Sequence, residues 1–155
     1  MSDFLDFLEE DNSNNIEQAY WTILVVDDDE DVHRSTKFAF TNTKILGKCV
    51  KFIDAFTSEE AKNIVRDRTD IDLMLLDAVM ESENAGLECA TYVKKFLKRS
   101  IPIIIMRSGF AGWEVEFNKH KIDVLDDFLM KTAAPKNVLI QKVEEWLSKI
   151  DTPNK

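Results

Sequence analysis

The chain has 155 residues, enough for one domain with a real core, and its 45% apolar and 32% charged residues are an ordinary globular composition. No run approaches the roughly 20 apolar residues that span a bilayer. Met1–Glu10 is acidic and lacks the basic start of a secretory signal, so the expected compartment is the cytoplasm. A net charge of −9 argues against nucleic acid or an anionic membrane as a partner.

Residues 1–20 stand apart. They carry Asp3, Asp6, Glu9, Glu10, Asp11 and Glu17 without a Lys or Arg, which is −6 of the total. Asp11–Asn15 has a linker's composition, and Phe4, Leu5, Phe7 and Leu8 form one apolar face of a short helix. This segment reads as an acidic tail or a short docking helix. From Trp21 the pattern alternates strand and helix. A strand at about 22–27 leads into a helix at about 29–42 whose first turn is acidic, as a helix N-terminus favours. A strand follows at about 50–54, and Thr57-Ser58-Glu59-Glu60 reads as a capping box for the next helix. Then come a strand at 72–77, a loop at 78–86, a helix at about 87–98 and a strand after Pro102. Gly109 and Gly112 mark a loop, a short helix is expected over 113–120, and a fifth strand at about 124–130. The last helix starts near Pro135, a suitable first-turn residue, with Leu139, Val143, Trp146 and Ile150 as its apolar stripe. One α/β domain over 21–150 results, followed by a short tail at 151–155. Right-handed crossovers between such strands give a parallel sheet covered on both faces.

Four apolar runs end on polar residues. Ile23–Val26 precedes Asp27-Asp28-Asp29, Leu73–Leu76 precedes Asp77, Ile103–Met106 precedes Arg107-Ser108, and Phe128–Met130 precedes Lys131. Unbroken apolar runs are buried strands of a parallel sheet, and in open α/β sheets ligands bind outside the carboxyl ends of the strands. The acidic run alone reads equally as helix capping. Asp77, Ser108 and Lys131 at matching strand ends favour a site. Clustered carboxylates repel unless a cation joins them, and a sparse carboxylate set suits Mg²⁺, which also takes waters and phosphate oxygens. A thiolate or imidazole set for zinc is not on offer. Lys131 is either a snorkelling surface cation or a partner for a phosphoryl oxygen; Ser108 is either a turn former or a donor to that oxygen. Arg107 is expected to be a solvated neighbour, His33 and His120 to be exposed, and Cys49 and Cys89 to be buried free thiols.

With these residues in this order, the chain resembles the receiver domain of two-component response regulators over about residues 22–149. The resemblance rests on Val25-Val26-Asp27-Asp28, Leu75-Leu76-Asp77-Ala78-Val79-Met80, Ser108-Gly109 and Phe128-Leu129-Met130-Lys131. It implies a flavodoxin-like, doubly wound (βα)5 fold with a five-stranded parallel sheet of order 2-1-3-4-5. It implies Asp77 as phosphoacceptor, Asp28, Asp77 and the Val79 carbonyl as direct Mg²⁺ ligands, and Asp27 as a ligand through water. Lys131 would pair with the phosphoryl group, and Ser108 and Phe128 would switch together. The implied partners are a sensor histidine kinase or phosphotransfer protein and an output domain or partner at the face of the fourth and fifth helices. A homodimer is compatible with that face, where Phe110, Trp113 and Phe117 add aromatic surface or core. In this family Val79 and Phe110 flank the route of the hydrolytic water, and two apolar side chains there imply a long-lived phosphoryl form.

Two departures stand out. Glu81 replaces the family's usual proline, and the usual glycine comes one position later, at Gly86. The loop, the His33 region and the acidic start resemble a subgroup whose receiver precedes further domains, sometimes an HD-type phosphohydrolase. A rival reading is a haloacid dehalogenase-type aspartyl phosphatase using Asp27 and Asp29, although its acidic pair after the Lys is missing and Asp77 would have no role. A third is a receiver-like interaction module that never accepts phosphate.

Overall fold

The computed structural model describes residues 20–109, 112, 122–131 and 136–150. Strands β1 (Trp21–Val26), β2 (Val50–Ala55), β3 (Leu73–Asp77), β4 (Ile103–Ser108) and β5 (Asp127–Met130) form one parallel sheet of order β2-β1-β3-β4-β5. Helices α1 (Glu30–Ala39), α2 (Ser58–Asp67), α3 (Ala85–Thr91) and α4 (Lys136–Ile150) are the α-helices among the described residues. The expected architecture is therefore the observed one. The predicted helix over 113–120, Phe110, Pro135, His120 and the two terminal segments lie outside the described residues.

Every residue of β1, β3 and β4 is buried, as three central strands require. Their side chains alternate between two cores. Leu24, Val26, Met74, Leu76, Ile104 and Met106 pack under α2 and α3 with Ala61, Val65, Cys89 and Val93. Ile23, Val25, Leu73, Leu75, Ile103 and Ile105 pack under α1 and α4 with Ala39, Leu139, Val143 and Leu147.

Boundaries differ from expectation where a side chain takes over a backbone role. β3 begins at Leu73 because the Asp72 carboxylate accepts the Thr22 N–H at 2.8 Å. β5 begins at Asp127, not near 124, because the Asp126 carboxylate accepts the Ile104 N–H at 2.8 Å and binds Lys94 at 2.9 Å. α1 starts at Glu30, with Asp29 as its cap accepting the Asp31 N–H at 2.9 Å, and stops at Ala39. The capping pair before α2 forms with its return bond shifted by one residue: the Glu60 N–H reaches Thr57 Oγ1 at 3.1 Å, and the Glu60 carboxylate accepts the Phe56 N–H, one before the cap, at 2.6 Å. α3 starts two residues early and passes into a π-turn over Tyr92–Phe96, where the Leu97 N–H bonds the Tyr92 carbonyl. Cys89 is buried as expected, but Cys49 is exposed, since it precedes edge strand β2.

Candidate functional site

Parallel register aligns the carboxyl ends of the strands. Val26 pairs with Leu76, Asp77 with Arg107, and Ser108 with Met130. Side chains alternate along a strand, so Asp27, Asp77, Arg107 and Lys131 continue the parity that faces α1 and α4. The structure brings the predicted carboxylates together: Asp27, Asp28 and Asp77 each offer an oxygen within 4.8 Å of the others. Asp27 and Asp77 are buried, whereas Asp28 is exposed at the rim. Lys131, half-buried, places Nζ 2.9 Å from Asp27 Oδ2 and 3.4 Å from Asp77 Oδ1, so its stem crosses the end of β4. A freely snorkelling lysine would not converge on two acids.

Asp27 Oδ1 accepts the Asp29 N–H at 2.9 Å, while Oδ2 is buried with no hydrogen bond beyond its ion pair. Burial, and then the Asp27 charge, push the Asp77 carboxyl up to about 6; Lys131 and the Val79 N–H pull the other way. All three acids supply hard oxygen ligands, and the buried Asp27 Oδ2 is met among the described residues by the Lys131 ammonium alone. That set fits Mg²⁺, with Asp27, Asp28 and Asp77 as the side chains able to hold it. Asp29 faces elsewhere, its carboxylate committed to capping α1, so it does not form the Asp-x-Asp pair of the phosphatase reading.

Ser108 is buried at the end of β4, and its carbonyl accepts the Lys131 N–H at 2.9 Å. Phe128 is buried in the α2–α3 core, opposite Met106 and on the face that Ser108 continues. The Val79 side chain is exposed beside the acceptor.

The altered loop has its own supports. The Glu81 carboxylate accepts the Ser58 N–H at the start of α2, with both oxygens at 3.2 Å. The Gly86 N–H bonds the Ala78 carbonyl at 3.1 Å. A Cβ on Gly86 would lie 2.4 Å from the Asp77 carbonyl oxygen and 2.9 Å from Ala78 Cα. The displaced glycine thus lets α3 press directly against the acceptor's backbone.

Two expectations fail. His33 is buried, not exposed: Nε2 lies 2.7 Å from the Asp27 carbonyl, Nδ1 lies 2.7 Å from Asp54 Oδ1, and Phe56 stacks at 4.2 Å. Asp54 also binds Lys37; although burial raises its pKa, Lys37 and His33 hold it below its ordinary value. Arg107 is also buried rather than solvated, because a central strand has no solvent face. Its Nη1 donates to Thr36 Oγ1 at 3.0 Å, while Nε and Nη2 have no hydrogen-bond partner among the described residues. Burial lowers its pKa to about 10, with Asp27 and Asp77 opposing, so it is still a cation at neutral pH. Both residues had a readable signal. His33, Thr36 and Ala39 form an i, i+3 stripe on α1, and Arg107 shares the parity of Ile103 and Ile105.

No family model matches the chain. Solved structures do. A Francisella response regulator 1452 receiver domain superposes with a TM-score of 0.67 at 21% identity, covering 84% of this chain and 98% of that one. A CheY-like receiver domain protein from Methanospirillum hungatei gives 0.66 at 24%, covering 84% and 96%. The chain has the fold of response-regulator receiver domains. A signal receiver domain from Clostridium thermocellum gives 0.67 at 21%, covering 82% and 97%. In sequence, the chain is 36% identical over 115 residues to the 3'3'-cGAMP-specific phosphodiesterase 2 of Vibrio cholerae. That match takes in 74% of this chain and 22% of the phosphodiesterase, a name in line with the expected subgroup. Among the described residues, no helix is long and apolar enough to cross a membrane.

Proposed function

We propose that this receiver is a working phosphoacceptor: Asp77 takes a phosphoryl group from a phosphohistidine of a sensor kinase or phosphotransfer protein. The observation that carries the reading is the convergence of Asp27, Asp28 and Asp77 within 4.8 Å, with Lys131 3.4 Å from Asp77. An Asp77 carboxylate oxygen attacks phosphorus, the P–N bond breaks, and its electron pair leaves on the donor imidazole, which takes up a proton. The product on Asp77 is an acyl phosphate. Mg²⁺ held by Asp27, Asp28 and Asp77, with the Val79 carbonyl as a further ligand, would supply neutralisation of charge on the transferring group. The residues of the chain do the remaining work. Lys131 offers a cation to a phosphoryl oxygen, and the Val79 N–H orients the Asp77 carboxylate. Ser108 donates to the new dianion, and Phe128 follows it, which gives a charge-driven surface change.

The phosphodiesterase relative supports a cyclic-dinucleotide phosphodiesterase as the output served by this receiver, as a domain of a longer chain or as a separate partner. No observation favours the phosphatase or the silent-module reading. The decisive test is incubation with acetyl phosphate and Mg²⁺ followed by intact-mass analysis. Wild type is expected to gain one phosphoryl group and Asp77→Asn none. Uptake by Asp77→Asn, or turnover of an aryl phosphate by wild type, overturns the proposal.

A further inference from the structure

The receiver site accounts for Lys131 but not for Arg107. Arg107 is the ladder neighbour of Asp77, on adjacent parallel strands whose backbones lie about 4.8 Å apart. It is 6% exposed, and two of its three nitrogens have no acceptor among the described residues. Burying an unpaired cation is among the most costly things a core can do. It persists where fixed negative charge stands close by, and Asp77 on the neighbouring strand end, with Asp27 on the next, continues the same face of the sheet. Thr36 of α1 anchors one end of the guanidinium, so its position is held rather than left to solvent.

From this placement we propose that Arg107 is a resident counter-cation of the carboxylate pocket, competing with Mg²⁺ and holding the receiver's affinity for the ion low. The proposal rests on the phosphoacceptor reading. Three carboxylates face two buried or half-buried cations, Lys131 and Arg107. Lys131 is partly exposed, and its long stem lets the ammonium turn from Asp27 and Asp77 toward an incoming phosphoryl group. Arg107 is enclosed under the end of β4 and has no such exit. Its charge therefore stays in the pocket when the ion binds, and repels it. Phosphoryl transfer adds negative charge at Asp77, and the same fixed cation then favours the loaded site. The added phosphoryl charge attracts the ion in the loaded form, while Arg107 lowers ion affinity in both forms.

The test is Mg²⁺ binding to the whole chain by titration calorimetry at fixed ionic strength. R107M and R107Q remove the charge; R107Q keeps a donor for Thr36 and serves if R107M does not fold. R107K keeps the charge. One unit charge at this range in a partly shielded pocket changes divalent affinity by about tenfold. The expected result is binding about tenfold tighter in R107M and R107Q than in wild type, with R107K within about threefold of wild type. A residue that merely packs would give R107K and R107M the same shift. Equal affinity in wild type, R107M and R107Q, or a shift shared by R107K, overturns the proposal while phosphoryl uptake on Asp77 still stands. Ion binding absent from wild type and both neutral variants overturns it too, and the acetyl phosphate experiment decides the functional reading separately.

Discussion

Burial and the Asp27 charge raise the Asp77 carboxyl from 3.8 to about 6, and that shift has a consequence for stability. Between those values the folded chain keeps a proton that the unfolded chain has released. Stability contributed by this group is therefore present below about pH 4 and lost as pH rises through about 6. Asp77→Asn cannot ionise, so it lacks this loss. In EDTA, the melting-temperature advantage of Asp77→Asn over wild type is expected to grow from pH 4 to pH 7. A constant difference across that range would show that Asp77 ionises without cost. Comparing the two chains cancels the opposite contribution of Asp54, whose pKa is lowered. At this scale, much of the pocket was legible: Asp27, Asp28, Asp77 and Lys131 were found because each ends an apolar run. Arg107 and His33 were misjudged because charge was read as exposure, whereas strand parity and helix spacing bury both.

The elements hold these residues through contacts that run between neighbouring loops. Gly86 opens the first turn of α3 against the Asp77–Ala78 backbone, with no space for a methyl group. Gly86→Ala is expected to push α3 away from the acceptor strand, since the atoms it meets are backbone and cannot rotate aside. The expected cost is about 2–3 kcal/mol, the upper range for overpacking, with phosphoryl uptake slowed at least tenfold. Urea unfolding and the mass assay measure the two effects. Gly109→Ala is the control, because a methyl group there meets nothing within 4 Å and the residue has no positive φ. A Gly86→Ala chain as stable as the control would mean that α3 does not bear on Asp77. The order of strands and helices was readable from hydrophobic runs and caps. Their ends were not, because Asp72 and Asp126 substitute side-chain oxygens for ladder carbonyls. The tight turn at Leu46-Gly47 has no signal at its first residue: Leu46 adopts φ 53°, a conformation its residue type does not advertise.

In the whole molecule, one sheet serves two cores, and its central strands alternate residues between them. Opening either face strips the strands that the other face packs against, so the domain is expected to unfold as one unit. Cys89 reports this event. It lies in the α2–α3 core with its thiol pushed up to about 12, mainly by burial, while Cys49 is exposed. Under native conditions an alkylating reagent is therefore expected to label Cys49 quickly and Cys89 only when the domain opens. An ion that binds the folded carboxylate pocket but not the unfolded chain suppresses opening by mass action. Cys89 labelling should then slow about tenfold for each tenfold rise in free Mg²⁺ above its dissociation constant, and Asp28→Asn, which leaves both cores untouched, should blunt the response. Peptide-level mass spectrometry follows both thiols in one experiment, with Cys49 as the internal standard. Rapid Cys89 labelling at all Mg²⁺ concentrations would show that α3 opens by itself, and the coupling between the ion site and the two cores would be lost.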